Sequence, residues 1–407
     1  MKIDLPRRLF LQRAGLGLLA LGLPPSFLAR AAAAEGKKNK VLVVVFQRGG
    51  MDGLNAVIPF KDRAYYALRP TIAVAEPGSG AERAIDLDGF YGFHPALAPL
   101  KPLFAKGRLA VVHATGSPDN SRSHFDAQDY MELGTPGAKS APDGWLNRLL
   151  QDGRDGGPIR AAALTVRTPR ILSGDAPALT LTSIEAFRLR DPLLAPALEK
   201  SYANVSDPML RKSAAGLFEA MRVLRTAAPS APAASGAVYP SGRFGASMKE
   251  IARLIKLRVG LEIAFASIEG WDTHVSEGGA AGQLAERLKE LAEGLAAFER
   301  DLGDYMEDVV LLTLSEFGRT ARENGNRGTD HGHANVMFVM GGKVKGGRVY
   351  GRWPGLDPDA LYEGRDLALT TDFRAVCGEV LARHLGKNDL SQIFPAYQAP
   401  VPLGIVA

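Results

Sequence analysis

The chain has 407 residues, 46% hydrophobic and 23% charged, the composition of a globular protein with a sizeable core. Its formal net charge of +5 would suit a nucleic-acid ligand, but residues 1–34 alone carry a net +4 through Lys2, Arg7, Arg8, Arg13 and Arg30 against Asp4. Nucleic-acid binding is therefore excluded, and a lone cysteine, Cys377, excludes an internal disulfide.

The first segment is Pro6-Arg7-Arg8-Leu9-Phe10-Leu11, followed by an apolar run from Ala14 to Leu23 and by Ala31 to Ala34. A basic start, a short apolar core and small residues at a cleavage point are the parts of a secretory signal. The paired arginines resemble the twin-arginine export signal, whose cargo crosses the membrane folded. The expectation is a signal peptide over 1–34, export by the twin-arginine machinery, and a periplasmic or secreted mature protein. The apolar run is interrupted by Gly22, Pro24 and Pro25 and is too short to span a bilayer, so no stable membrane anchor is expected after cleavage.

Val41 to Phe46 is the first predicted strand, and it runs into the turn Gln47-Arg48-Gly49-Gly50-Met51-Asp52. In an open α/β sheet ligands bind at the carboxyl ends of strands, which makes Asp52 a candidate ligand. There is no GxGxxG or GK[ST] spacing, so a nucleotide site has little support. His94-Pro95 predicts the start of a short helix.

Leu109 to Ala114 is the next strand. It leads through Ser117 to Ser123 into a predicted helix that ends at Gly134. Ser121 and Ser123 therefore lie where a strand meets a helix N-terminus, a place that favours an anion and also a place where serine commonly caps. Ala163 to Val166 and Ala178 to Leu181 show strand-like alternation, and 191–227 is amphipathic and helical. The Pro/Ala/Ser/Gly-rich stretch 228–245 reads as a connection, so a mostly helical insertion near 185–245 is expected within one domain spanning 40–407.

Leu261 to Ile268 is a strand that ends in Gly270-Trp271-Asp272-Thr273-His274, where Asp272 and His274 form a metal half-site. A helical pattern over 284–306 follows. Val309 to Leu314 then delivers Ser315-Glu316-Phe317-Gly318-Arg319, and Asp330-His331-Gly332-His333 precedes the strand Val336 to Met340. Thr370 to Leu385 is a closing helix that buries Cys377 as a structural thiol. Carboxylates and imidazoles at strand ends suit Zn²⁺ or Mn²⁺ more than Ca²⁺.

Arg122-Ser123-His124-Phe125 with Gln128, Gly270-Trp271-Asp272-Thr273-His274, and Ser315 to Thr320 before Asp330-His331-Gly332 together resemble the DUF1501 family of exported bacterial proteins. The resemblance covers nearly all of the chain from Lys40 onward. It implies an alkaline-phosphatase-like three-layer α/β/α fold with a mostly parallel central sheet. It also implies a divalent metal site of one or two ions, with Asp52, Asp272, His274, Glu316 and His331 or His333 as ligands. Ser123, or Ser121 beside it, takes the nucleophile position; in the expected reaction Ser123 or a metal-bound water attacks while Arg48, Arg122 or Arg319 holds the anion. Phe317 stands where the superfamily has an imidazole, which weakens a second metal. Neither serine has Pro two residues later, which disfavours a formylglycine sulfatase. The expected function is an exported metal-dependent hydrolase of phosphate or sulfate esters, acting on a small anionic ester or a polymer bearing such esters. The alternative is a non-catalytic binding or assembly protein with a degenerate or structural metal site. A metal-free Ser/His/Asp hydrolase lacks the Gly-x-Ser-x-Gly elbow.

Overall fold

The computed structural model describes residues 39–407 except 140, 154–158, 188, 190 and 228–235. The expected signal over 1–34 and much of the expected connection lie outside the described residues. Apolar β-branched runs become a sheet of nine strands among the described residues. They are Val41–Arg48 (β1), Leu109–Gly116 (β2), Ala161–Ala163 (β3), Leu179–Thr180 (β4), Ile263–Glu269 (β5), Val309–Leu314 (β6), Asn335–Gly341 (β7), Val349–Tyr350 (β8) and Thr371–Asp372 (β9). The order is β8-β2-β7-β6-β1-β5-β3-β4, with β9 pairing β2. Only β7 runs antiparallel to its neighbours in this sheet, β2 and β6. The expected mostly parallel α/β/α architecture is present.

The central strands are buried on both faces, as near-continuous apolar runs require. Val41, Val43 and Val45 face one core with Leu109, Val111, Val309 and Leu311, and the helices Arg243–Lys256 (α5) and Gln283–Leu302 (α6) cover it. Leu42, Val44 and Phe46 face the other with Val310, Leu312 and Leu314. The helices on that side are His124–Leu133 (α1), Trp145–Leu150 (α2) and Phe373–Leu385 (α7). Cys377 lies inside α7 with its thiol pushed up by burial.

The helix expected over 191–227 is broken. Ala195–Ala203 (α3) and Pro208–Ala227 (α4) flank a turn, because Pro208 disfavours helix in the residue before it and favours the start of a new one. The pattern over 284–306 likewise stops at Leu302, where Gly303 takes a positive φ of 51° and the chain tightens into a 3₁₀ turn. No helix among the described residues is long and apolar enough to cross a membrane.

The chain order fixes where the polar residues collect. Strands β1, β2, β5 and β6 end at the same edge, and the antiparallel β7 begins there, since Asn335 pairs with Thr115 at the end of β2. The residues after four strands and before a fifth therefore share one rim.

His113 and His384 belong to the core instead. His113 donates Nε2–H to the Val57 carbonyl at 3.0 Å, while its Nδ1 accepts the Ala114 N–H at 2.9 Å. His384 donates to the Val41 carbonyl at 3.0 Å. Burial pushes both down to about 4. An unfolded chain binds these protons near pH 6.5 and the folded one only near 4, so stability is full above that window and falls as pH drops through it. For His113 the loss is about 3 kcal/mol. The urea midpoint of wild type should fall between pH 6.5 and 4 more steeply than that of His113→Gln. Equal slopes would contradict the assignment.

Candidate metal centre

The rim is built from its glycines outward. Gly49, at the end of β1, has a φ of 123°, and a Cβ there would come within 2.8 Å of the Asp272 nitrogen. Only glycine lets the β1 turn lie against the β5 turn. At Gly50 a Cβ would sit 2.6 Å from the Phe317 ring, so the same turn also makes room for the residues after β6. Trp271 is fully buried and anchors Asp272 and the loop after it.

Four side chains converge there. His274 Nε2 lies 3.0 Å from Asp272 Oδ1, His331 Nε2 3.2 Å, and His124 Nε2 3.4 Å. Donor atoms of His124, Asp272 and His331 all fall within 4.8 Å of one another. Each imidazole is held from behind. His124 Nδ1 meets the Glu316 carboxylate at 2.8 Å, His274 Nδ1 the Asp330 carboxylate at 3.0 Å, and His331 Nδ1 the Arg122 carbonyl at 2.7 Å. These oxygens can only accept, so each Nδ1 carries the proton. In a neutral ring the Nε2 lone pair then faces the cluster.

This arrangement fits a cation by two observations. His124 Nε2 is buried and has no hydrogen-bond partner. The Nε2 atoms of His274 and His331 stand 2.9 Å apart, a separation at which two lone pairs repel unless a cation or a proton lies between them. Histidine ligands whose second nitrogen donates to a carboxylate or carbonyl are the usual pattern around zinc.

The charges are set by neighbours. Partial burial weighs against ionisation of Asp272, but the Arg319 guanidinium at 2.6 Å outweighs it and brings the carboxyl down to about 2. Burial likewise opposes charge on Glu316, yet hydrogen bonds from His124, Gln128 and the Gly49 N–H hold it below the usual carboxylate range. The Glu316 contact raises His124, while burial lowers His331.

The structure sorts the expected residues. Asp272, His274 and His331 come together. Glu316 reaches the cluster only through His124, as the carboxylate behind that ring, rather than as a ligand. Asp52 is not at the cluster: it caps the short helix Gly53–Ala56 and pairs with Arg69, both fully buried. His333 stacks on Tyr362 at 4.3 Å, among Asp119, Asp366, Arg122 and Glu363. Ser123 caps α1 by accepting the Asp126 N–H, and the Ser121 hydroxyl accepts the Ser123 N–H. Arg319 is not free to hold an anion. It is buried, and its three nitrogens donate to the carbonyls of Gly49, Gly50, Trp271 and Thr329 as well as to Asp272. Arg48 is likewise engaged, by Gln128 and Glu132. Arg122 pairs with Asp366 and Glu363 and remains partly exposed beside the His331 loop.

Sequence reasoning missed His124 as a member of the cluster. The signal was its place at the first turn of a helix whose cap had already been singled out. Phe317 is buried with its ring 4.8 Å from both His124 and His331, an apolar wall against two of the imidazoles.

Residues 39–394 match the family described as "Protein of unknown function (DUF1501)". A search of curated proteins finds no match. Similar solved structures include the C-terminal periplasmic domain of EcEptC from Escherichia coli in complex with Zn. It is 9% identical, with 75% of this chain and 73% of that one covered and a TM-score of 0.36. The lipoteichoic acid synthase LtaP from Listeria monocytogenes is 8% identical, with 76% and 66% covered and a TM-score of 0.33. The PsFucS1 sulfatase from Pseudoalteromonas sp. is 12% identical, with 80% and 68% covered and a TM-score of 0.34. Likeness of this degree carries no functional inference.

Proposed function

The chain belongs to the DUF1501 family, and from its site we propose that it is a metal-dependent hydrolase of phosphate or sulfate esters, exported by the twin-arginine pathway through residues 1–34. One observation carries the reading: His124 and His331 aim their Nε2 atoms at the Asp272 carboxylate, each with its Nδ1 tied to an acceptor, and the three donor atoms lie within 4.8 Å of one another. His124, Asp272 and His331 hold the ion, and the imidazole-rich donor set favours Zn²⁺, with Mn²⁺ the second choice. Bound there, a divalent ion supplies Lewis acidity toward an ester oxygen and water.

The remaining roles fall to the chain itself. His274 is more exposed than the other two rings and is backed by Asp330, a His–Asp pair suited to take a proton from water at Nε2. Arg122, fixed by Asp366 and Glu363, is the cation at the rim for the ester's anionic group. The Ser123 hydroxyl is committed to the helix N-terminus, so water is the nucleophile in this reading. Ser123→Ala should then cost about 1 kcal/mol of stability, as lost caps do, and leave turnover of aryl phosphate or aryl sulfate within a few-fold of wild type. A fall of about 10³-fold or more would instead make Ser123 the attacking group. Chelation should abolish turnover of either ester, and activity that persists without metal would sink the proposal.

A second reading has its own observation. Three imidazoles and one carboxylate already make four ligands, the number of a closed structural zinc site, and Phe317 walls off one side. His274→Ala separates the two. In a hydrolase it removes turnover and largely keeps the metal, whereas in a structural site it releases the metal.

A further inference from the structure

Glu277 lies on the loop between β5 and α6, three residues beyond His274, and is fully buried. Its Oε2 accepts hydrogen bonds from the hydroxyls of Thr273, at 3.0 Å, and Thr329, at 2.6 Å. Thr273 separates Asp272 from His274, and Thr329 directly precedes Asp330 and His331. One carboxyl thus ties together the two loops that bring three of the four converging side chains.

Its other oxygen poses a problem. Oε1 is buried with no hydrogen-bond partner, and the Glu277 side chain neighbours another carboxyl, Asp52. Asp52 is already matched: Arg69 pairs with both its oxygens and the Leu54 N–H donates to Oδ1. The charged groups acting on the pair are Arg69 on both carboxyls and Arg319 on Asp52. Glu277 has no cation of its own. Two charged carboxylates sharing Arg69 away from water would leave a buried negative charge uncompensated. A proton on Oε1 removes that charge and turns an orphaned oxygen into a donor toward Asp52. Burial and the Asp52 charge both push the Glu277 carboxyl well above its ordinary range, in the same direction.

We propose that Glu277 is a neutral carboxylic acid at pH 7 that donates a hydrogen bond to Asp52 and, through Thr273 and Thr329, positions Asp272, His274 and His331. It is a positioning residue and touches no substrate. The positioning half rests on the metal reading above; the protonation half does not.

The test compares wild type, Glu277→Gln and Glu277→Ala. Glutamine reproduces the neutral acid, its oxygen accepting both threonine hydroxyls and its amide donating to Asp52. Wild type at neutral pH should show the infrared carbonyl band of a protonated carboxylic acid, lost in Glu277→Gln. Glu277→Gln should keep the urea midpoint and bind Zn²⁺ within about threefold of wild type, whereas Glu277→Ala weakens Zn²⁺ binding by about 10–100-fold. If Glu277→Ala does not fold, Thr329→Val, which removes one of the two hydroxyls that Glu277 holds, takes its place in the Zn²⁺ comparison. No lost band, or a glutamine variant with a lowered midpoint, would overturn the neutral acid. Alanine binding Zn²⁺ as tightly as wild type would overturn the positioning role. Should wild type bind no Zn²⁺, the metal reading fails with that role, and the band and midpoint still decide the proton.

Discussion

His124→Ala is expected to lower Zn²⁺ affinity by more than about 100-fold while leaving the protein folded. The magnitude follows from the ring's position. His124 Nε2 is one of the donors within 4.8 Å of one another, so its loss removes a ligand, whereas losing an outer partner costs about 10–100-fold. The fold should survive because His124 begins α1 at its N-terminus, and Ser123, which caps that helix, is untouched. Glu316 would keep the Gln128 and Gly49 donors. Glu316→Gln should fall between the two, inside the 10–100-fold range, since it weakens the hydrogen bond that fixes the His124 tautomer and leaves every ligand in place. Equal Zn²⁺ affinity in His124→Ala and wild type, measured by competition with a chromogenic chelator, would remove His124 from the centre. A larger loss in Glu316→Gln than in His124→Ala would show that Glu316 is itself a ligand.

Arg69→Met is expected to be the most destabilising change away from the centre, by about 3–5 kcal/mol, the usual cost of stripping one partner from a buried ion pair. Arg69 and Asp52 are both fully buried, and Arg69 also donates to the carbonyls of Thr320 at 2.8 Å and Ala321 at 3.0 Å. Removing it takes away the ion-pair partner of the Asp52 carboxylate and leaves only the weaker pull of Arg319. Adding Asp52→Asn should recover part of the loss, because the orphaned charge disappears and the side chain can still cap Gly53–Ala56. Urea unfolding of the metal-free proteins separates these terms. A double variant no more stable than Arg69→Met alone would mean that lost packing and carbonyl contacts, not the stranded charge, set the cost.

The strands were legible because burial on both faces writes them as unbroken apolar runs: Val41 to Phe46 and Val309 to Leu314 appear where they were expected. The shared edge followed from the polar residues placed after each run. What could not be read was the pairing across that edge. Glu316 sits at a strand end and looked like a ligand, but its partner His124 is 192 residues away, and only the packing of α1 against the β6 end brings them together. Asp52 was misplaced by the opposite error. Its strand-end position suggested a ligand, while the local sequence, an Asp before Gly53-Leu54-Asn55, was that of a helix cap. Arg319 has the chemistry of an anion holder, and nothing local reveals that four backbone carbonyls occupy it. Glu277 gave no signal at all, because a glutamate in a Gly-rich loop reads as solvated until the fold buries it against Asp52.

The most direct measurement is metal content per chain, by elemental analysis of the purified, folded protein. About one Zn or Mn per chain is expected, with hydrolysis of aryl phosphate or aryl sulfate that disappears on chelation and returns when the metal is restored. A folded protein that carries no metal and takes up none from solution would contradict that expectation.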